Sequence, residues 1–125
     1  MDGLISHVSL GVDDLETAGA FYDTLLAAIG AQRLYTMEAA IAWGRKYPEF
    51  WVGLPIDGKP AGVGNGTHVA FLCEGPAQVR AAYEAGLAAG GTGDGAPGAR
   101  PEYTDAYYAA FLRDPFGNKV EVHSM

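Results

Sequence analysis

The chain has 125 residues, a length that suggests one domain able to bury roughly two thirds of its unfolded surface without disulfides or structural metals. Hydrophobic residues make up 49% and charged residues 18%, a balance too apolar for a disordered chain. Eight Lys and Arg against fifteen Asp and Glu leave a net charge of −7, which repels phosphate backbones and anionic lipid, so neither nucleic acid nor a membrane surface is an expected partner.

The opening Met-Asp-Gly-Leu-Ile-Ser-His lacks the basic flank of a secretion signal, and no apolar run reaches the length of a membrane span. From His7 onward Val8, Leu10 and Val12 alternate with His7, Ser9 and Gly11. This period of two predicts a half-buried strand with aliphatics on one face and the histidine and serine on the other. Asp13 or Asp14 can cap a helix in which Leu15, Phe21, Tyr22, Leu25, Leu26 and Ile29 recur at helical spacing, ending at Gly30. Strands are then expected over 32–36, 39–43 and 50–54. The glycine-rich Gly-Val-Gly-Asn-Gly at 62–66 does not lie between a strand and a helix, so it is not a phosphate loop.

A second strand starts at His68, where Val69, Phe71 and Cys73 alternate with His68, Ala70 and Leu72. Cys73, the single cysteine, falls on the aliphatic face and is read as a core residue; with no partner for a disulfide, a reducing cytoplasm is the expected location. Pro76 suits a first helical turn, Val79, Tyr83 and Leu87 form a stripe, and Gly90 and Gly91 end it. The Gly/Pro-rich stretch 92–102 reads as a rim or lid loop, leaving one strand of this half unplaced. Strands follow over 107–113 and 119–123, joined by Asp-Pro-Phe-Gly-Asn (114–118), a strong hairpin turn signal.

The two halves are related. Residues 7–30 lie over 68–91 at an offset of 61 with eight identities in 24 positions, among them His7 with His68. The expected architecture is α+β: two tandem βαβββ modules, about 1–58 and 64–125, forming an eight-stranded open cleft. His7 and His68 open equivalent strands. On the closing strand Val120 and Val122 take one face, leaving Lys119, Glu121 and His123 on the other. If helices cover the aliphatic faces, His7, His68 and Glu121 share a concave surface. Two imidazoles and a carboxylate there suit one divalent ion (Mn, Fe, Zn, Ni or Co) with coordination positions left open for catalysis.

The His-Val-Ser-Leu strand with its following helix, Gly-Asn-Gly-Thr-His-Val-Ala-Phe at 64–71 and Asp-Pro-Phe-Gly-Asn-Lys-Val-Glu-Val at 114–122 together resemble the vicinal-oxygen-chelate superfamily. That superfamily includes glyoxalase I, extradiol dioxygenases, fosfomycin-resistance thiol transferases and bleomycin-binding proteins. The resemblance implies metal ligands His7, His68 and Glu121, with Glu121 also available as a catalytic base, a small-molecule substrate with adjacent oxygens, and a homodimer with modules exchanged between chains. It leaves lyase, isomerase, thiol transferase and dioxygenase open, and a non-catalytic, drug-sequestering protein as the alternative. One departure stands out: glyoxalase I has an acidic ligand on the closing strand of the first module, where this chain has Phe50 and Trp51. Substrate contacts are expected from Ser9, Trp51, Arg100 and one of Tyr107 and Tyr108, which alternation sends to opposite faces.

Overall fold

The computed structural model describes residues 2–125. In chain order the elements are β1 (Val8–Gly11), α1 (Leu15–Ala27), β2 (Gln32–Thr36), β3 (Ala40–Gly44), β4 (Phe50–Gly53), β5 (His68–Leu72), α2 (Pro76–Ala88), β6 (Thr92–Ala99), β7 (Tyr108–Arg113) and β8 (Lys119–Ser124). They form two open four-stranded sheets, ordered β1-β4-β3-β2 and β5-β8-β7-β6. In each the first strand pairs parallel with the last and the others run antiparallel. The expected two βαβββ modules are therefore present.

Each helix begins and ends for a local reason. Asp14, in extended conformation, accepts from the Glu16 amide and caps α1, whereas α2 starts on Gly75 with Pro76 supplying the preset φ of a first turn. Gly30 and Gly90, with φ of 81° and 106°, turn the chain out of the helices in the left-handed region. Both helices lie on the aliphatic faces of the sheets and against each other, closing a core that includes Phe21, Tyr22, Leu25, Trp43, Val79 and Leu112, all essentially inaccessible. Each such side chain contributes about 1.5–3 kcal/mol by leaving water. Cys73 is buried in the same core, and burial pushes its thiol up to about 11.

The stretch 92–102 departs from expectation: its first eight residues are strand β6. Gly93, Gly95 and Gly98 and Pro97 erase the alternation that would announce a strand. Pairing with β7 carries irregularities between Gly93 and Gly95 and between Gly95 and Gly98.

Two polar clusters join the modules. Asp114, almost fully buried, accepts from the Tyr22 hydroxyl of α1 at 2.7 Å, from the Phe116 and Asn118 amides at 2.9 Å each and from Asn118 Nδ2 at 3.0 Å. Asn118 Nδ2 also donates to the Gly11 carbonyl of β1 at 2.9 Å. The hairpin turn is thus tied to the first module. At the other end Arg45 Nη2 donates to the Ile29 carbonyl after α1 at 2.7 Å and to the Leu72 carbonyl of β5 at 2.8 Å.

Candidate functional site

With helices on the aliphatic faces, the opposite faces of the two sheets carry the polar and aromatic residues. On the second sheet Ala70, Glu121, Phe111 and Gly95 are successive cross-strand partners, so their side-chain positions stand in one row. Beside the row a cavity of about 640 Å³ is lined by residues including His68, Arg100, Tyr107, Phe111, Lys119 and Glu121. Gly95 has no side chain to fill it; a Cβ there would approach the Phe111 ring to 3.0 Å.

Glu121 is 3% exposed. Its Oε1 lies 3.2 Å from His68 Nε2 and its Oε2 accepts from the Tyr107 hydroxyl at 2.5 Å. Burial, and then the bond to Glu121 and its charge, hold the Tyr107 phenol above its ordinary range, so it remains a donor. The Tyr107 ring stacks on His123 with centroids 4.5 Å apart, and Tyr103 meets its edge. His123 Nδ1 and Arg100 Nε are buried without hydrogen-bond partners among the described residues. Arg100 spends Nη2 on the Ala96 carbonyl at 2.8 Å; its guanidinium and the Lys119 ammonium stand 5.7 Å and 5.0 Å from the Phe111 ring centre.

Among the described residues no Lys or Arg pairs with Glu121. A buried carboxylate and an imidazole side by side at a cavity, with no Lys or Arg paired to the carboxylate, are a donor pair suited to a divalent ion. In donor type His68 and Glu121 fit part of a metal site. Within one chain they do not gain a third ligand, for no group of three His, Cys, Asp or Glu side chains able to hold a metal occurs among the described residues. His7 lies on the other sheet, just before β1, exposed, with Nδ1 3.0 Å from the Ser6 hydroxyl and its ring 6.1 Å from that of Trp51.

The remaining sequence-derived candidates separate. Tyr107 lines the cavity, whereas Tyr108 points to the helical face, where Arg80 of α2 donates to its hydroxyl at 3.3 Å. Arg100 lines the cavity. Ser9 lines a different hollow of about 190 Å³ with residues of the 62–67 linker, Asn118 and Lys119. Trp51 stands on the open face of the first sheet. Lys119 lines the cavity on the face that alternation gives it, and Tyr103 lies beside Tyr107. Phe111 and Gly95 are cavity residues beyond the sequence-derived set: strand parity points to Phe111, whereas Gly95 needs the irregular β6 register.

The first sheet repeats the row with different residues. Ser9, Trp51, Ala42 and Tyr35 are successive partners there. Trp51 therefore holds the position of Glu121, Ala42 that of Phe111 and Tyr35 that of Gly95. A one-residue irregularity between Arg33 and Tyr35 in β2 matches one between Gly93 and Gly95 in β6.

Residues 4–122 match the family model of the glyoxalase/bleomycin resistance protein/dioxygenase superfamily, and the chain belongs to that superfamily. Among solved structures, a glyoxalase/bleomycin resistance protein from Albidiferax ferrireducens T118 is 36% identical with a TM-score of 0.93, matching 98% of this chain and all of that one. Fold alone is shared with lactoylglutathione lyase from Agrobacterium tumefaciens (20% identity, TM-score 0.68, 99% and 94% of the two chains). The same holds for fosfomycin resistance protein FosX from Mesorhizobium loti (18% identity, TM-score 0.70, 100% and 93%). No curated protein matched.

Proposed function

We propose that the protein is a metal-dependent enzyme acting on a small molecule with two adjacent oxygens, with His68 and Glu121 as two ligands of one divalent ion and His7 of a second copy as the third. The observation carrying this reading is the buried Glu121 carboxylate, held between His68 and Tyr107 at the cavity with no Lys or Arg paired to it among the described residues. Superfamily membership supports it, since the family includes enzymes that use such ions. A bound ion would supply Lewis-acid stabilisation of negative charge on a substrate oxygen, a contribution of several kcal/mol.

The chain's own residues would do the rest. Tyr107 fixes the rotamer of Glu121 by donating to Oε2, leaving Oε1 for the ligand role or for accepting a substrate proton. Phe111 and Tyr103 line the cavity with aromatic surface, while Arg100 and Lys119 bring positive charge to its wall. His123, packed under Tyr107, braces the phenol.

The test is metal analysis of untagged protein together with calorimetric titration of Mn²⁺, Zn²⁺, Ni²⁺ and Co²⁺, and anaerobically Fe²⁺, into metal-free protein. One ion per chain, with binding lost in His68→Ala and Glu121→Gln, is expected; binding unchanged in both variants would overturn the reading. A sequestering, non-catalytic protein is the second reading, favoured by the aromatic residues of the first sheet. It predicts ligand capture undiminished in metal-free protein.

A further inference from the structure

The two open sheet faces are built on one register and filled in opposite ways. In the second module the row reads Ala70, Glu121, Phe111, Gly95, which leaves a carboxylate at the floor of a cavity. In the first it reads Ser9, Trp51, Ala42, Tyr35. From these paired rows we infer that the first module presents a ring-stacking wall, Trp51 with Tyr35, that selects ligands carrying a planar aromatic or conjugated group. The inference deepens the proposed function and rests on its reading of these faces as the walls of a small-molecule cleft.

Three features make this a constructed surface. The extra residue in β2, Leu34, changes the parity of the strand: Arg33 faces Trp43 and the helix, and Tyr35, two residues on, pairs with Ala42 on the open side. Without that irregularity Tyr35 would pair with Ile41 and point into the core; bulges re-aim side chains in this way beside binding sites. The Tyr35 and Trp51 rings are nearly parallel, at 13° with centroids 6.2 Å apart, and Ala42 between them is small and completely buried. Finally, the Trp51 Nε1 hydrogen donates to the Pro48 carbonyl at 2.9 Å. That bond pins the indole and consumes its one polar group, so what it offers a ligand is its π face. Tyr35 remains 53% exposed, and the His7 ring stands at the edge of the wall, 6.1 Å from Trp51 and tilted 57° to it.

A planar ring stacks on such a surface with centroids 4.5–7 Å away, and a saturated ring of equal size cannot reproduce the contact. The probes are therefore 2-naphthol and 2-decalol, equal in skeleton and hydroxyl position and different in planarity. Dissociation constants would be measured by NMR titration of the whole protein with EDTA present, so that no metal contributes. The expected result is that 2-naphthol binds at least about tenfold more tightly than 2-decalol and shifts the Trp51 and Tyr35 ring resonances. Trp51→Ala is expected to weaken naphthol binding about tenfold and Trp51→Phe to keep it within about threefold, in line with stacking energies elsewhere. If Trp51→Ala melts early, Tyr35→Ala removes a surface ring instead and should lose a comparable share. Equal binding of the two alcohols, or undiminished naphthol binding in Trp51→Ala or Tyr35→Ala, would overturn the inference. Metal titration of the wild-type protein separates the two claims: no preference for naphthol with metal binding intact sinks only the stacking wall, and absent metal binding with the preference intact sinks only the metal assignment.

Discussion

Tyr107 and Glu121 show how much one hydroxyl can decide. Replacing Tyr107 by Phe removes the hydroxyl donor to Glu121 Oε2 and frees the carboxylate to rotate away from His68. A buried acceptor left unpaired costs about 1–3 kcal/mol, and losing the partner that orients a ligand weakens metal binding by about 10–100-fold. Urea denaturation of the metal-free variant and calorimetry of the loaded one measure the two effects separately. A variant with full metal affinity would show that Glu121 needs no such support.

Tyr22 poses the same question far from the cavity. Its hydroxyl bonds Asp114, and burial first, then the Asp114 charge, hold the phenol well above its ordinary value. Because the folded chain retains this proton longer than the unfolded one, the stability linked to it is fully present below about pH 10 and is lost as pH rises beyond that. Tyr22→Phe is expected to lower stability at neutral pH by about 1–3 kcal/mol, the cost of an unmade buried hydrogen bond, and to flatten the alkaline decline. An alkaline limb identical in wild type and variant would refute this assignment.

At the scale of elements, the alternation of Val8, Leu10 and Val12, of Val69, Phe71 and Cys73, and of Val120 and Val122 was enough to place three strands and to set His68 and Glu121 on one face. The helices followed from their stripes and glycine stops. What escaped was whatever depends on a departure from period two. β6 was hidden because four of its eight residues are Gly or Pro, and Tyr35 was hidden because an extra residue in β2 reverses its face. The equivalence of Trp51 with Glu121 needed strand pairing, which no single segment encodes. Asp114 and Asn118 read as turn formers, yet their side chains also tie the modules together, information held by Tyr22 and Gly11 about a hundred residues away. Gly95 tests the irregular β6. Its φ of 153° disfavours a side chain, and a Cβ would press on Phe111 at 3.0 Å. Gly95→Ala is therefore expected to cost about 1–3 kcal/mol and to shift the Phe111 ring resonances; a melt and spectrum like wild type would show that the strand tolerates a side chain there.

At the scale of the whole molecule, the relation between its two open faces decides what site can form. One carries His7, Trp51 and Tyr35, the other His68 and Glu121; within one chain the helices pack against each other between the modules, and among the described residues no third potential ligand joins His68 and Glu121. Proteins of this superfamily are often dimeric, and a two-fold interface that sets the first module of one copy beside the second of the other would bring the sets together twice. Mixing two metal-ligand variants tests this directly. His7→Ala and His68→Ala should each fail to hold a stoichiometric ion. If sites form between copies, a dimer of one of each has one site with both lesions and one with neither, so random exchange after mild denaturation and refolding restores roughly a quarter of the wild-type sites. Sites built within one chain would each retain one lesion, and mixing would restore none. Recovery of metal binding in the mixture, with a dimer mass by light scattering, is the expected outcome; a monomer, or a mixture as empty as its parents, would rule out a site shared between copies, and a His7→Ala protein that keeps its ion would separate His7 from the metal.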